Sequence, residues 1–113
     1  MNPTDRYLLT FCVSPEMKED IEAGYEQYVL EQIEQTGNAY VTKREFYIRL
    51  IEEFLEHGSP TQLVPSWVGP DKQRIRLWID RPLESQIDAY AKAHHVKIAT
   101  VGYSAVYHRF KKD

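Results

Sequence analysis

Two stretches of the chain alternate between hydrophobic and polar positions, and this alternation predicts two short strands. The first stretch spans residues 6–13 and the second spans residues 74–79. Both contain many aromatic or branched aliphatic residues, and a period of two is typical of a strand with one buried face. The inward positions are predicted to be Leu9, Phe11, Val13, Ile75, Leu77 and Ile79.

After the first strand, apolar residues recur at spacings of three and four, which predicts two amphipathic helices. The first helix is expected to begin after Ser14, a favourable N-cap, and to end at Gly37. The second helix begins with a capping box formed by Thr42 and Glu45 and continues to Gly58. The predicted buried positions are Met17, Ile21, Tyr25, Tyr28, Val29 and Ile33 in the first helix and Phe46, Leu50, Ile51, Phe54 and Leu55 in the second.

The order strand, helix, helix returns in the second half of the chain. Asp80 can cap the first helix of this half, and a last helix is expected to begin at about Thr100. Residues 59–71 separate the two halves and contain three prolines, which predicts a linker without regular structure. Trp67 and Val68 indicate that this linker packs on the body of the protein. The apolar helix positions of the second half are Leu83, Ile87, Tyr90, Ala91, Tyr103, Val106, Tyr107 and Phe110.

An alternating strand, a capped turn and two amphipathic helices resemble the ribbon-helix-helix family of Arc, MetJ and CopG-like repressors. The most specific stretch is 73–80 with Leu83 and Ile87 behind it, and Pro15-Glu16 is similar to the family's strand-to-helix junction. The resemblance implies a mainly α fold with a two-stranded antiparallel β-ribbon, built from two ribbon-helix-helix units in one chain as a pseudo-dimer. The predicted boundaries are 1–113 for a single compact domain, 5–58 for the first unit with its longer first helix, 59–71 for the linker and 72–113 for the second unit.

The resemblance also implies a DNA-binding surface. In that family the ribbon lies in the major groove, where each base pair presents a distinct pattern of donors and acceptors. The implied base contacts are Arg74, Arg76, Trp78, Leu8, Thr10 and Cys12. The family also places the N-terminus of each second helix against phosphates, and the matching residues are Thr42, Lys43, Arg44, Lys97 and Thr100. An outward tryptophan can equally cover the linker or a partner protein, and burial is the expected fate of Trp78.

Sequence-specific binding of double-stranded DNA is therefore the expected function, in transcription regulation as a repressor or in plasmid DNA processing. Relaxosome accessory proteins of conjugative plasmids include similar tandem forms. The ribbon could form within one chain, giving a monomeric pseudo-dimer, or between chains, giving a dimer or a higher assembly on DNA.

Charged residues are unevenly distributed between the two halves of the chain, and this distribution motivates an alternative function. The formal net charge is −3, but residues 1–58 hold 5 basic and 12 acidic groups, whereas residues 59–113 hold 9 basic and 5 acidic groups. The acidic first half suits a basic partner protein. The alternative is a protein-interaction module, antitoxin-like or adaptor, that keeps the fold without reading bases.

The remaining sequence features favour a cytoplasmic protein without catalytic activity. Cys12 is the only cysteine, and no leader-like segment or apolar run of membrane-spanning length is present. No catalytic motif or phosphate-binding loop is visible, so we expect no enzyme and no cofactor. His94 and His95 have no cysteine or carboxylate at ligand spacing, so we expect no metal site.

Overall fold

The computed structural model describes residues 6–110, in which the order strand, helix, helix occurs twice. The elements are β1 (Arg6–Val13), α1 (Pro15–Thr36), α2 (Lys43–His57), a short 3₁₀ turn (Pro60–Gln62), β2 (Gln73–Asp80), α3 (Arg81–Ala93) and α4 (Ile98–Phe110). The described part of the chain is thus mainly helical, with four α-helices and one two-stranded antiparallel sheet. The ends of the predicted units, residue 5 and residues 111–113, lie outside the described residues.

Caps fix the helix starts where the sequence predicts them. The Ser14 side chain accepts a hydrogen bond from the backbone of Met17 (3.1 Å), and Asp80 does the same for Leu83 (3.1 Å). The start of the last helix is the exception. α4 begins at Ile98 and not near Thr100, so the predicted start was wrong by about half a turn.

The two strands pair with each other within one chain. Their inward side chains, the six predicted ones, are all buried, and they form the floor of the hydrophobic core. The outward side chains face each other across the ribbon in the pairs Leu8–Trp78, Thr10–Arg76 and Cys12–Arg74. The predicted faces of both strands are therefore confirmed, and the antiparallel pairing lies between the first and second halves of the chain.

Each second helix packs on the strand of the other half. α2 packs on β2, whereas α4 packs on β1, and the two helices contact each other. α4 approaches β1 closely at Gly102, where an added Cβ would lie 3.0 Å from the Phe11 ring and 3.2 Å from Leu9. All residues from Val101 to Val106 are buried, so α4 is central to the core and has no amphipathic pattern in this stretch. The two halves share one core.

Buried polar contacts fasten the linker to this core. Ser104 is fully buried in α4, and its hydroxyl accepts a hydrogen bond from the Val64 backbone (2.8 Å) and donates one to the Thr100 carbonyl (2.6 Å). At the ribbon, the backbone N–H of Cys12 donates to the Ser66 hydroxyl (2.9 Å). The linker is therefore part of the body of the protein.

The two apolar residues of the linker behave differently. Trp67 is partly buried against the core, and its backbone N–H donates to the Cys12 carbonyl (3.1 Å). Val68 is 90% exposed, so the expectation that it also packs on the body was wrong. The linker turns outward directly after Trp67.

Replacement of Ser104 by alanine is expected to lower the free energy of unfolding by about 1–3 kcal/mol, because the Val64 N–H loses its acceptor in a partly buried setting. Urea denaturation of Ser104→Ala measures this loss. The control is Ser85→Ala on the exposed face of α3, which should change stability by less than about 0.5 kcal/mol. Equal losses in the two variants would contradict the anchoring role of Ser104.

α1 extends well beyond the body. It has 22 residues against 13 in α3, and Ile21 is the last of its residues to be buried. Leu30 is 57% exposed and Ile33 is 42% exposed. The prediction that the apolar stripe is buried as far as Ile33 was therefore wrong, because neither α2 nor α4 reaches this end of the helix.

Candidate nucleic-acid interface

The outer face of the ribbon presents the six side chains predicted to contact bases. Arg74 and Arg76 are exposed, whereas Thr10 and Cys12 are half-buried. Trp78 is 49% exposed, so its expected burial was wrong. The linker packs along the outer edge of β1 at Cys12 and leaves the Trp78 end of the ribbon uncovered.

A cleft of about 400 Å³ lies beside β2, between the ribbon and the starts of α1 and α2. Among the residues that the structure describes, all charged side chains lining it are cationic, namely Arg6, Lys18, Lys43, Arg44, Arg74 and Arg76. We call these six residues the cationic cleft. Tyr47 also lines it, and burial raises the pKa of its phenol to about 12, so this hydroxyl stays uncharged at neutral pH. The cleft has the charge and the donors to hold phosphate groups.

Arg44 is held against the second strand. Its Nε donates a hydrogen bond to the Trp78 carbonyl (2.7 Å), which places the guanidinium beside the outward side chains of β2. Thr42 caps the same helix by accepting from the Glu45 backbone N–H (3.1 Å). The start of α2 therefore brings the predicted phosphate-contacting residues Thr42, Lys43 and Arg44 to the same side of the ribbon as Arg74 and Arg76.

One carboxylate stands at the edge of the cationic cleft. Glu22 contacts Lys43 (2.7 Å) and, more weakly, Lys18 (3.5 Å). The hydrogen bond from Lys43 lowers the pKa of the Glu22 carboxyl, with the charge of Lys18 acting in the same direction. A phosphate that approaches Lys43 must therefore compete with Glu22.

The equivalent cleft beside β1 is far less basic. Its charged lining residues are Asp88, Lys92 and Lys97, and Lys92 pairs with Asp88 (2.9 Å). Lys97 directly precedes α4, and Thr100 lies within the first turn, where its N–H donates to the Lys97 carbonyl (3.0 Å). Lys97 thus lies beside the ribbon, whereas Thr100 does not line this cleft, and the positive charge of the described clefts is concentrated on the β2 side.

Sequence reasoning missed two residues of the cationic cleft. Arg6 lies two residues before Leu8 on β1, so the alternation of the strand already predicts that its side chain is on the outer face. Lys18 lies in α1, one turn before its partner Glu22. Its place in the cleft follows from packing of α1 beside α2, which no local pattern in the sequence shows.

Comparisons of the chain with family models, with curated protein sequences and with solved structures find no match. Within residues 6–110, no helix has the length and apolar character needed to cross a membrane. The same residues contain no group of three or more His, Cys, Asp or Glu side chains placed to hold a metal ion.

Proposed function

We propose that the chain binds double-stranded DNA sequence-specifically through its β-ribbon, as a tandem ribbon-helix-helix protein that regulates transcription or assists plasmid DNA processing. One observation carries the proposal. Arg74 and Arg76 lie outward on an antiparallel ribbon, directly beside a cleft whose charged lining residues are all cationic.

The packing supports the pseudo-dimer. α2 lies on β2 and α4 lies on β1, so each half completes the other, as two subunits do in an intertwined dimer. Thr10 pairs with Arg76 near the middle of the antiparallel ribbon, a register in which an approximate twofold relation between the halves would place its axis. A single chain then supplies the surface that conventional members of the family build from two.

On DNA, the ribbon would lie in the major groove and the cationic cleft along one phosphate backbone. Arginine can donate two hydrogen bonds to the O6 and N7 atoms of guanine, which is the commonest base-specific contact. Arg44 and Lys43 would neutralise phosphates and fix the register without reading sequence. Because the described lining of the cleft beside β1 has two cations, Lys92 and Lys97, against six beside β2, we expect an asymmetric target with its stronger half at Arg74 and Arg76.

Selection from random duplexes tests the proposal. The unaltered protein should enrich one sequence family, and its affinity for that sequence should fall steeply with salt. If three or four of the cleft cations other than Arg74 and Arg76 meet phosphates, the slope of log K against log salt should be roughly −2.7 to −3.6. Absence of any enriched sequence at low salt would refute sequence-specific binding.

Replacement of Glu22 by glutamine is expected to strengthen DNA binding, because Lys43 and Lys18 lose a competing carboxylate. Each additional phosphate neutralised should steepen the salt slope by about 0.9. Filter binding or fluorescence anisotropy over a salt series measures both effects. Glu26→Gln removes the same charge from an exposed site further along α1, and it should change the slope much less. Identical behaviour of the two variants would show that Lys43 does not meet a phosphate.

A second candidate function rests on the exposed end of α1. Its surface combines Leu30 and Ile33 with the carboxylates of Glu26, Glu31 and Glu34. Apolar side chains ringed by negative charge suit a basic, amphipathic segment of a partner protein.

The two functions can be separated by one double variant. Leu30→Glu/Ile33→Glu should abolish co-purification of a basic partner protein and leave random-duplex selection unchanged. A stable partner whose binding survives these substitutions would refute this surface as the docking site.

A further inference from the structure

Two apolar side chains form one pair on the outer ribbon face. Leu8 and Trp78 are partners across the two strands, with exposures of 36% and 49%. The next two outward pairs each contain an arginine, Thr10 with Arg76 and Cys12 with Arg74. On the other side of Leu8 and Trp78 lies the outward pair of Arg6 with Asp80, so the outer face has one apolar pair between charged ones.

The surroundings of this apolar pair favour a polyanion as its occupant. Trp78 itself lines the cationic cleft, and Arg44 is hydrogen-bonded to its carbonyl. A protein partner would have to bring apolar groups into the midst of six cations. DNA brings phosphates to the cations and also carries an apolar group on the floor of its major groove, the 5-methyl group of thymine.

Building on the proposed DNA binding, we infer that Leu8 and Trp78 recognise the 5-methyl group of a pyrimidine in the major groove. The indole and the isobutyl group lie opposite each other and offer an apolar surface to the methyl group. Leu8 has no hydrogen-bonding group and the Trp78 indole has a single N–H donor, so most of the surface that the pair offers to a base is apolar and suits this methyl contact.

Strand geometry places the methyl contact relative to the guanine contacts. Outward side chains on one strand recur about every 6.8 Å, since an antiparallel strand rises about 3.4 Å per residue. Base pairs are also about 3.4 Å apart along the helix axis. The methyl-bearing base should therefore lie about two base pairs from the guanine read by Arg76 and about four from the guanine read by Arg74.

Replacement of thymine by uracil isolates the methyl group, because the two bases differ in nothing else. In a site obtained by random selection, each thymine is replaced singly and the Kd of the unaltered protein is measured. We expect a loss of about fourfold per buried methyl at one or two positions. Leu8→Ala/Trp78→Ala should bind the thymine and uracil forms of those positions equally. Val68→Ala, which removes an apolar side chain that is 90% exposed outside the ribbon, should keep the difference.

The outcomes separate this inference from the function on which it rests. A selected site in which no uracil substitution weakens binding overturns the inference and leaves sequence-specific binding intact. A uracil effect that persists in Leu8→Ala/Trp78→Ala assigns the methyl contact to other side chains and also overturns it. Failure to select any site overturns both. The uracil scan with the unaltered protein shows whether a methyl group is recognised, even if Leu8→Ala/Trp78→Ala no longer binds.

Discussion

Arg74→Ala/Arg76→Ala is expected to lose selective DNA binding while its fold is retained. Both side chains are exposed on the outer ribbon face, so their removal leaves no cavity in the core. A bidentate contact to guanine contributes about 1–3 kcal/mol of discrimination, and loss of two should reduce the preference for the selected site by at least about 30-fold. Competition binding against a scrambled duplex measures this preference.

A matched variant separates base reading from general charge. Arg49→Ala/Arg109→Ala also removes two arginines, but these line a groove between α2 and α4, away from the cationic cleft. This control variant should bind DNA slightly more weakly, because it has lost two positive charges, and it should keep the preference for the selected site. An unchanged preference in Arg74→Ala/Arg76→Ala would refute the base-reading role of the two arginines.

Phe11→Ala is expected to be among the most destabilising single substitutions in the chain. The ring is 2% exposed, packs edge-on against Tyr47 at 6.5 Å between centroids, and lies against Gly102 of α4. Truncation of a buried phenylalanine costs about 3–5 kcal/mol, a large share of the 5–15 kcal/mol by which domains of this kind are stable. Chemical denaturation followed by circular dichroism measures the loss.

The neighbouring position provides the control for strand register. Thr10 lies on the outer face opposite Arg76, and Thr10→Ala should cost less than about 1 kcal/mol. A one-residue slip would exchange the inner and outer sets of side chains. A larger loss for Thr10→Ala than for Phe11→Ala would therefore contradict the observed register and every outward residue assigned from it.

Strands and caps could be predicted from the sequence because their causes are local. The alternation of Leu9, Phe11 and Val13 fixes which face of β1 is buried, and Ser14 and Asp80 mark helix starts by their own hydrogen bonds. Each of these signals lies within a few residues of the structure it determines. Their agreement with the structure follows from that short range.

The sequence could not show which surfaces neighbouring elements would cover. Ile33 belongs to a regular apolar stripe yet is 42% exposed, and burial of every residue from Val101 to Val106 leaves α4 without the amphipathic pattern that would have marked the helix. The ion pair between Glu22 and Lys43 joins α1 to α2 through two residues that are 21 positions apart in the sequence. Such features depend on how α1, α2 and α4 assemble, which periodicity does not encode.

Strand pairing within one chain was likewise open from the sequence. The alternation is the same whether a strand pairs with its own chain or with another. The structure pairs β1 with β2 and fastens the linker to Cys12 through Ser66, which brings the two halves together in one polypeptide. A single chain is thus sufficient to form the ribbon.

Methylation interference on the selected site tests the major-groove reading most directly. Dimethyl sulfate modifies guanine at N7, which faces the major groove, and adenine at N3, which faces the minor groove. If the ribbon reads guanine through Arg74 and Arg76, N7 methylation of one or two guanines should block binding, and N3 methylation of adenines should have no effect. Binding that tolerates every N7 methylation but is blocked by N3 methylation would contradict the account.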